Sequence, residues 1–365
     1  MMKNIILTAL IAISLAGNAQ TRNKKNKAVF LEDISWTTAQ QLLTPDAVVV
    51  IPLGAGAKEH GPHLPLSSDF IQAEGCSELL ALERKVIVAP TLNYGFYPAF
   101  IEYPGSTTIS FSTATDMVLQ VVRSLSNHGP KRFYIINIGI STTPTLEAAS
   151  KILAAEGILM YFSNYDRPNY KAALDPIKVQ PFSGHGHADE IETSNVLNFR
   201  ADLVDMKKAV NDSSGKNKSG ILTPVPVEGG VYNATGINGN ASLGTKEKGR
   251  SSMIAFAGEV VKDIDSITTC ALPEIKDRTA EYLKFEGTYV DASGKKLIIN
   301  QTDNQLFFVW NGRDFRNFVH LSMDAEDYFT SLFIDVLFVK NEDGRVTKAW
   351  CKSRGENFWV TKIAQ

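Results

Sequence analysis

The sequence has little of several things. Cysteine is scarce: Cys76, Cys270 and Cys351 are an odd, widely spaced set of three in 365 residues. They make no disulfide framework, and burial as small apolar residues is the expected fate. An excess of one charge is also missing. Lys and Arg number 37 against 39 Asp and Glu, a net charge of −2, so charge implies neither nucleic acid nor an anionic membrane as partner. A run long enough to cross a membrane is not seen either. The apolar stretch at residues 5–15 (IILTALIAISL) is far shorter than the roughly 20 residues a span needs. Histidine is rare, at six. Four of the six, His60, His63, His185 and His187, fall in two short windows, and that argues for a site rather than scatter.

What is present is ordinary globular composition. Hydrophobic residues make up 44% and charged residues 21%, as in a chain that buries a core. The length suggests two or three domains. Lys3, the short apolar stretch and the small-x-small pattern Gly17-Asn18-Ala19 together predict a signal peptide over residues 1–19. The mature chain is then periplasmic or secreted, with no membrane span after cleavage.

From residue 28 the pattern is α/β. Residues 33–43 predict a short helix with Trp36 packed on the domain. Residues 47–51 (AVVVI), 86–89, 132–136 and 158–162 read as buried strands, and 69–84, 115–126, 144–156, 190–204 and 248–264 as helices. Repeated strand–loop–helix order predicts a layered α/β sheet with helices on both faces. The aromatic loop 94–110 serves either as a pocket wall or as a rigid surface loop. In the Ser-Thr-Thr-Pro run at 141–144, Thr143 is the expected N-cap and Pro144 the first helical residue. After residue 273 the composition changes. Short alternating segments separated by Ser293-Gly294, Asp303-Asn304 and Asp343-Gly344 predict a β-rich sandwich or barrel over 280–365. His320 stands alone in it.

Two polar clusters carry the chemistry. Residues 52–69 (PLGAGAKEHGPHLPLSSD) follow a buried strand directly, and residues 184–194 (GHGHADEIETS) open a helix whose first turn holds Glu190 and Glu192. Sites on open α/β sheets lie at the C-terminal ends of strands, where the first cluster falls.

The run Lys58-Glu59-His60-Gly61-Pro62-His63-Leu64-Pro65, followed by Asp69, resembles the signature of the creatininase family. So does His187-Ala188-Asp189-Glu190-Ile191-Glu192-Thr193-Ser194. Tyr103-Pro104-Gly105-Ser106 and Thr245-Lys246-Glu247-Lys248-Gly249 match further motifs in the same order. The resemblance implies a three-layer α/β/α domain with a mostly parallel sheet over residues 28–273. It also implies an oligomeric amidohydrolase with two divalent ions, Zn or Mn, acting on small cyclic or linear amides. On that pattern Asp69 is the bridging carboxylate, His60 is a ligand, Glu192 is a ligand or a partner that supports one, and His187 moves protons. Two positions depart from it. Lys58 stands where the family has an anionic ligand, with Glu59 one place along as a substitute. Gly139, in Asn137-Ile138-Gly139-Ile140-Ser141-Thr142, stands where the family has a ligand histidine.

A lysine at that place repels a divalent ion and can pair with Asp69, so at most one ion is expected. Once buried, Lys58 would also lose its proton more easily and serve as a base. His63, Tyr103, Ser141 and His185 are candidate substrate contacts. For His63 bracing the loop is the competing role, for His185 exposure to solvent or metal ligation, and for Ser141 simply starting a helix. Two functions remain open: an amidohydrolase, or a non-catalytic relative that binds a small ligand in the same pocket.

Overall fold

The structure, a computed structural model, describes residues 26–178, 186–212, 214, 220–302, 304–314, 322–331, 333–353 and 355–363. The expected signal peptide, His185 and His320 lie outside them.

The first sheet has five parallel strands: β1 (Val29–Phe30), β2 (Val48–Leu53), β3 (Ile87–Val88), β4 (Arg132–Asn137) and β5 (Leu159–Phe162). Their order is β1-β3-β2-β4-β5. Every residue of β2 is buried, as a strand covered on both faces requires, and its sequence is accordingly a continuous apolar run rather than an alternation. The two faces still sort by parity. Val48 and Val50 pack with Tyr134 and Ile136 under α2 (Ser68–Glu83), α5 (Pro168–Leu174) and α7 (Lys246–Thr269). Val49, Ile51 and Leu53 pack with Phe133 and Ile135 under α3 (Phe111–Ser126) and α4 (Thr143–Ala155). This is the three-layer α/β/α arrangement.

The remaining helices are α1 (Trp36–Leu42) and α6 (Glu190–Arg200), and the two-residue strands β6 (Asn211–Asp212), β7 (Leu222–Thr223), β8 (Val231–Tyr232) and β9 (Gly239–Asn240) make small pairs beside them. Trp36 does not pack on the domain as its helix led one to expect: it is 77% exposed. Cys76 and Cys351 are buried, but Cys270 is exposed, so the expected burial holds for two of the three. Thr143 is the first residue of α4 rather than its cap. Thr142 precedes it without capping by its side chain, because its Oγ1 faces Asn137 Oδ1 and Gly139 O, which share its one proton.

Beyond α8 (Thr279–Leu283) the chain forms a second, wholly antiparallel sheet. Its strands are β10 (Gly287–Val290), β11 (Lys296–Thr302), β12 (Gln305–Trp310), β13 (Arg313–Asp314), β14 (Ser322–Ala325), β15 (Tyr328–Thr330), β16 (Asp335–Lys340), β17 (Val346–Ser353) and β18 (Glu356–Lys362). The order is β13-β12-β11-β10-β18-β17-β16-β15-β14. It is one open sheet rather than a two-sheet sandwich, and it curls. Trp310 on β12 stacks on Phe358 of β18 at 4.9 Å, though two strands lie between them. The concave side is filled by Leu297, Phe308, Val336 and Val360, with Tyr282 of α8 and Phe285. The module is an antiparallel half-barrel. Among the described residues no helix is long and apolar enough to cross a membrane.

Candidate active site

The strand order reverses beside β2: the chain leaves it for β3 on one side and returns to β4 on the other. In such sheets the crevice beyond the C-terminal ends of the two diverging strands binds ligands. Here that crevice is a cavity of about 620 Å3 lined by Lys58, Phe100, Gly139, Ser141, His187 and Glu192 among others.

The first wall is the segment between β2 and α2. Gly54 begins it, and a Cβ there would lie 2.4 Å from Asp69 O. The absent side chain lets the strand exit pass against the first turn of α2, which brings Asp69 under the loop. Lys58 N donates to Leu66 O at 2.9 Å and Phe70 N to Ala55 O at 3.2 Å, fastening the loop to itself and to α2. Inside it, Asp69 is fully buried and engaged on both oxygens. Oδ1 is 2.8 Å from His60 Nε2 and Oδ2 is 2.6 Å from Lys58 Nζ. His60 Nδ1 donates in turn to Lys58 O at 2.9 Å.

The second wall is the start of α6. Asp189 caps the helix, accepting from Ile191 N and Glu192 N. Burial, with Glu192 alongside, pushes its carboxyl up to about 6. His187 is held by paired backbone bonds to Asn238. Ala188 follows with φ 48°, a left-handed conformation that costs a non-glycine residue about 1–2 kcal/mol. It turns the Ala188 N–H onto Glu192 Oε2 at 2.5 Å. The His187 ring then sits between two carboxylates. Nε2 donates to Glu59 Oε2 at 2.9 Å, and Nδ1 is 3.6 Å from Glu192 Oε2. Phe100 packs against the ring at 4.4 Å.

The electrostatics correct one expectation. Burial works against the charged form of Lys58, but Asp69, Glu192 and Glu59 outweigh it and hold the pKa above the ordinary lysine value. Lys58 stays an ammonium, so it is no neutral base. Burial also opposes ionisation of Asp69, and Lys58 followed by His60 overcomes it, leaving the carboxyl well below its usual range. The same competition raises His187, where Glu59 outweighs burial, and lowers Glu59.

The other candidates fall as follows. Glu59 is not among the converging donors: its second oxygen accepts from Gly61 N. His63 does not line the cavity. Its Nε2 meets Thr193 Oγ1 at 2.8 Å, and burial lowers its pKa to about 4, the surroundings of a group bracing the loop. Tyr103 likewise donates to Asn233 O at 2.6 Å and lies off the cavity wall. Ser141 does line it. Phe100, from the aromatic loop, was not singled out by sequence, although its loop was. Asn233 and Asn238 were missed as wall residues, and nothing in their local sequence marks them.

Can the residues hold a metal? The ligating atoms of His60, His187 and Glu192 lie within 4.8 Å of one another, and imidazole with carboxylate suits Zn or Mn. One ion fits that set. Lys58 Nζ lies against Asp69 Oδ2, the oxygen that a second, Asp69-bridged ion would use, and Gly139 offers no side-chain donor there.

Comparison with known proteins gives a consistent picture. The chain is 24% identical to creatinine amidohydrolase of Pseudomonas putida over 240 residues, covering 61% of this chain and 91% of that one. It is also 24% identical to a mycofactocin precursor peptide peptidase of Mycobacterium tuberculosis over 244 residues, 64% of this chain and 90% of that one. A crystal structure of creatininase superposes with TM-score 0.57 at 22% identity, over 66% of this chain and 98% of the other. Solved creatininases of the same fold, at 22% identity and TM-scores of 0.57 and 0.55, include a Zn–Zn form and a Mn form. The creatinine amidohydrolase family model matches residues 32–264, and with the five-stranded domain and the site it encloses, the chain belongs to the creatininase family.

Proposed function

We propose that this chain is an exported hydrolase of small cyclic or linear amides, working with at most one zinc or manganese ion. The observation that carries it is the convergence of His60, His187 and Glu192 beside the cavity at the switch point of the sheet. An ion held there would polarise an amide carbonyl and supply hydroxide near neutral pH. The chain's own residues do the rest. Glu59 accepts a hydrogen bond from Nε2 of His187 and fixes its ring, which leaves Nδ1 as the atom His187 would offer to the ion. Phe100, Ile138 and Ile140 make an apolar wall that limits water. The creatininase and peptidase relatives support amide substrates of both shapes, and the periplasm or exterior is the compartment read from residues 1–19. The family also supports a homo-oligomer.

One observation favours a second reading, a non-catalytic binder of small ligands. Both oxygens of Asp69 and both ring nitrogens of His60 already have partners within the chain. The deciding experiment incubates purified protein with creatinine, hydantoin-type rings and short peptide amides, and follows products by mass spectrometry. Hydrolysis that stops on chelation and returns with zinc or manganese is the expected result. No turnover of any of them, while isothermal titration calorimetry shows one of these same compounds binding, would favour the second reading.

A further inference from the structure

We infer that the ammonium of Lys58 is a built-in cation that replaces one of the two metal ions of the related sites. The inference rests on the site assignment above, not on turnover.

Three observations meet at one place. Lys58 Nζ lies 2.6 Å from Asp69 Oδ2, with both side chains almost wholly buried. Asp69 has two oxygens, and the other faces His60. One carboxylate thus spans a histidine on one side and a cation on the other, the charge pattern of a bridging ligand. Gly139 is the second observation. A Cβ built there would meet Asp69 Oδ2 at 4.0 Å, Tyr97 Cε1 at 3.6 Å and Thr142 Oγ1 at 3.7 Å. These are ordinary contacts. A side chain at 139 would therefore begin beside the same Asp69 oxygen that Lys58 holds, and this chain has none.

The third observation is the pocket around the ammonium. Phe100 and Tyr97 present their rings at 5.0 and 5.6 Å from Nζ, distances at which an aromatic face attracts a cation. Glu192 and Glu59 add further negative charge around it. Loss of a donor at 139, gain of a cation at 58 and an aromatic lining for that cation all concern one position. Two of these changes would each weaken a metal there, and the lysine supplies the charge in its stead. The ammonium is ion-paired with Asp69, and Lys58 also lines the cavity.

The test uses the full chain and zinc alone. Wild type and Lys58→Glu with Gly139→His are saturated with zinc, desalted and analysed by mass spectrometry. One ion or none in the wild type, and one more in the double variant, is the expected result. About two tightly bound ions in the wild type would overturn the inference, as would a folded double variant that takes up no more than the wild type. Should the double variant not fold, Lys58→Gln decides. Zinc should raise its melting temperature more than that of the wild type, and an equal or smaller rise would overturn the inference. No ion in the wild type with one in the double variant upholds Lys58 as the cation and removes the metal from the proposed hydrolase, so the two failures are distinct.

Discussion

At the residue scale the site is a set of charges that exist only in one another's company. Asp69 is the most exacting of them, because it is completely buried with one partner on each oxygen. Removing its charge leaves the Lys58 ammonium buried and unpaired, a change that costs about 3–5 kcal/mol in known cases. Asp69→Asn should therefore lower unfolding free energy by about that amount in denaturant melts, and adding Lys58→Met should recover part of it. A loss below about 1 kcal/mol would show that the pair is not the tight contact described. The pH dependence follows from the directions of the shifts. The folded pKa of Asp69 is depressed, so its contribution is present above the unfolded value of about 3.9 and is lost as pH falls towards the folded one. The folded pKa of Lys58 is raised, so its contribution is present below about 10.4 and is lost as pH rises through the folded value. Wild-type stability should hold a plateau between those limits and fall on both sides. In Asp69→Asn the acid limb should flatten. Part of this pairing was legible in the chain. The cluster, and the likelihood that a lysine there meets Asp69, could be read from residue types. That Glu59 serves His187 could not, because 128 positions separate the two and only the fold brings them together.

At the element scale, helices with strong signals were read well and their ends less well. α2 and α4 differ from expectation by a residue at either end. α3 begins four residues earlier than its apolar period suggests, since Ser110 caps it through Thr113 N, and a cap leaves no trace in periodicity. α5 buries only Tyr170 and Leu174, a single apolar pair, and was not seen. The C-terminal strands were legible as strands, but sandwich and barrel give the same alternation, and the half-barrel had to be observed. Helix contacts are where the site gains its rigidity. α2 carries Asp69 and α6 carries Glu192, and the two helices meet at Gly75. A Cβ on Gly75 would lie 2.3 Å from the Phe199 ring. Alanine is normally the better helix former by about 1 kcal/mol, but overpacking costs about 1–3 kcal/mol. The clash wins, so Gly75→Ala should destabilise by about 1–2 kcal/mol in denaturant melts. Adding Phe199→Leu should leave a smaller loss than the two single changes summed. A stabilised Gly75→Ala would mean that α6 stands further off than described.

At the scale of the whole molecule the question is whether one core or two hold the chain. The apolar clusters of the first domain draw on residues 28–267, and that of the half-barrel on residues 282–360, with no buried cluster among the described residues mixing the two. The segment between is fastened to both units, and on the half-barrel side Asn304 accepts from Arg278 N at 2.6 Å and donates to Lys276 O at 2.8 Å. Arg132 holds the carbonyls of Ile267 and Cys270, and Lys276 N donates to Ala155 O at 3.0 Å. Ile275 there remains 64% exposed, so the connection seals little apolar surface. Units with separate cores and few shared contacts fold separately as a rule. Every residue named in the site belongs to the first unit. A chain of residues 26–278 should therefore fold alone, unfold in one cooperative transition, and bind zinc with the stoichiometry of the full-length protein. Calorimetry on the full chain should show two transitions, one of them coinciding with that of the shorter chain. If the shorter chain melts without cooperativity, the half-barrel is part of the same folding unit and its role is support. If it folds but loses zinc binding, the half-barrel reaches the site by a route that the separate cores do not reveal.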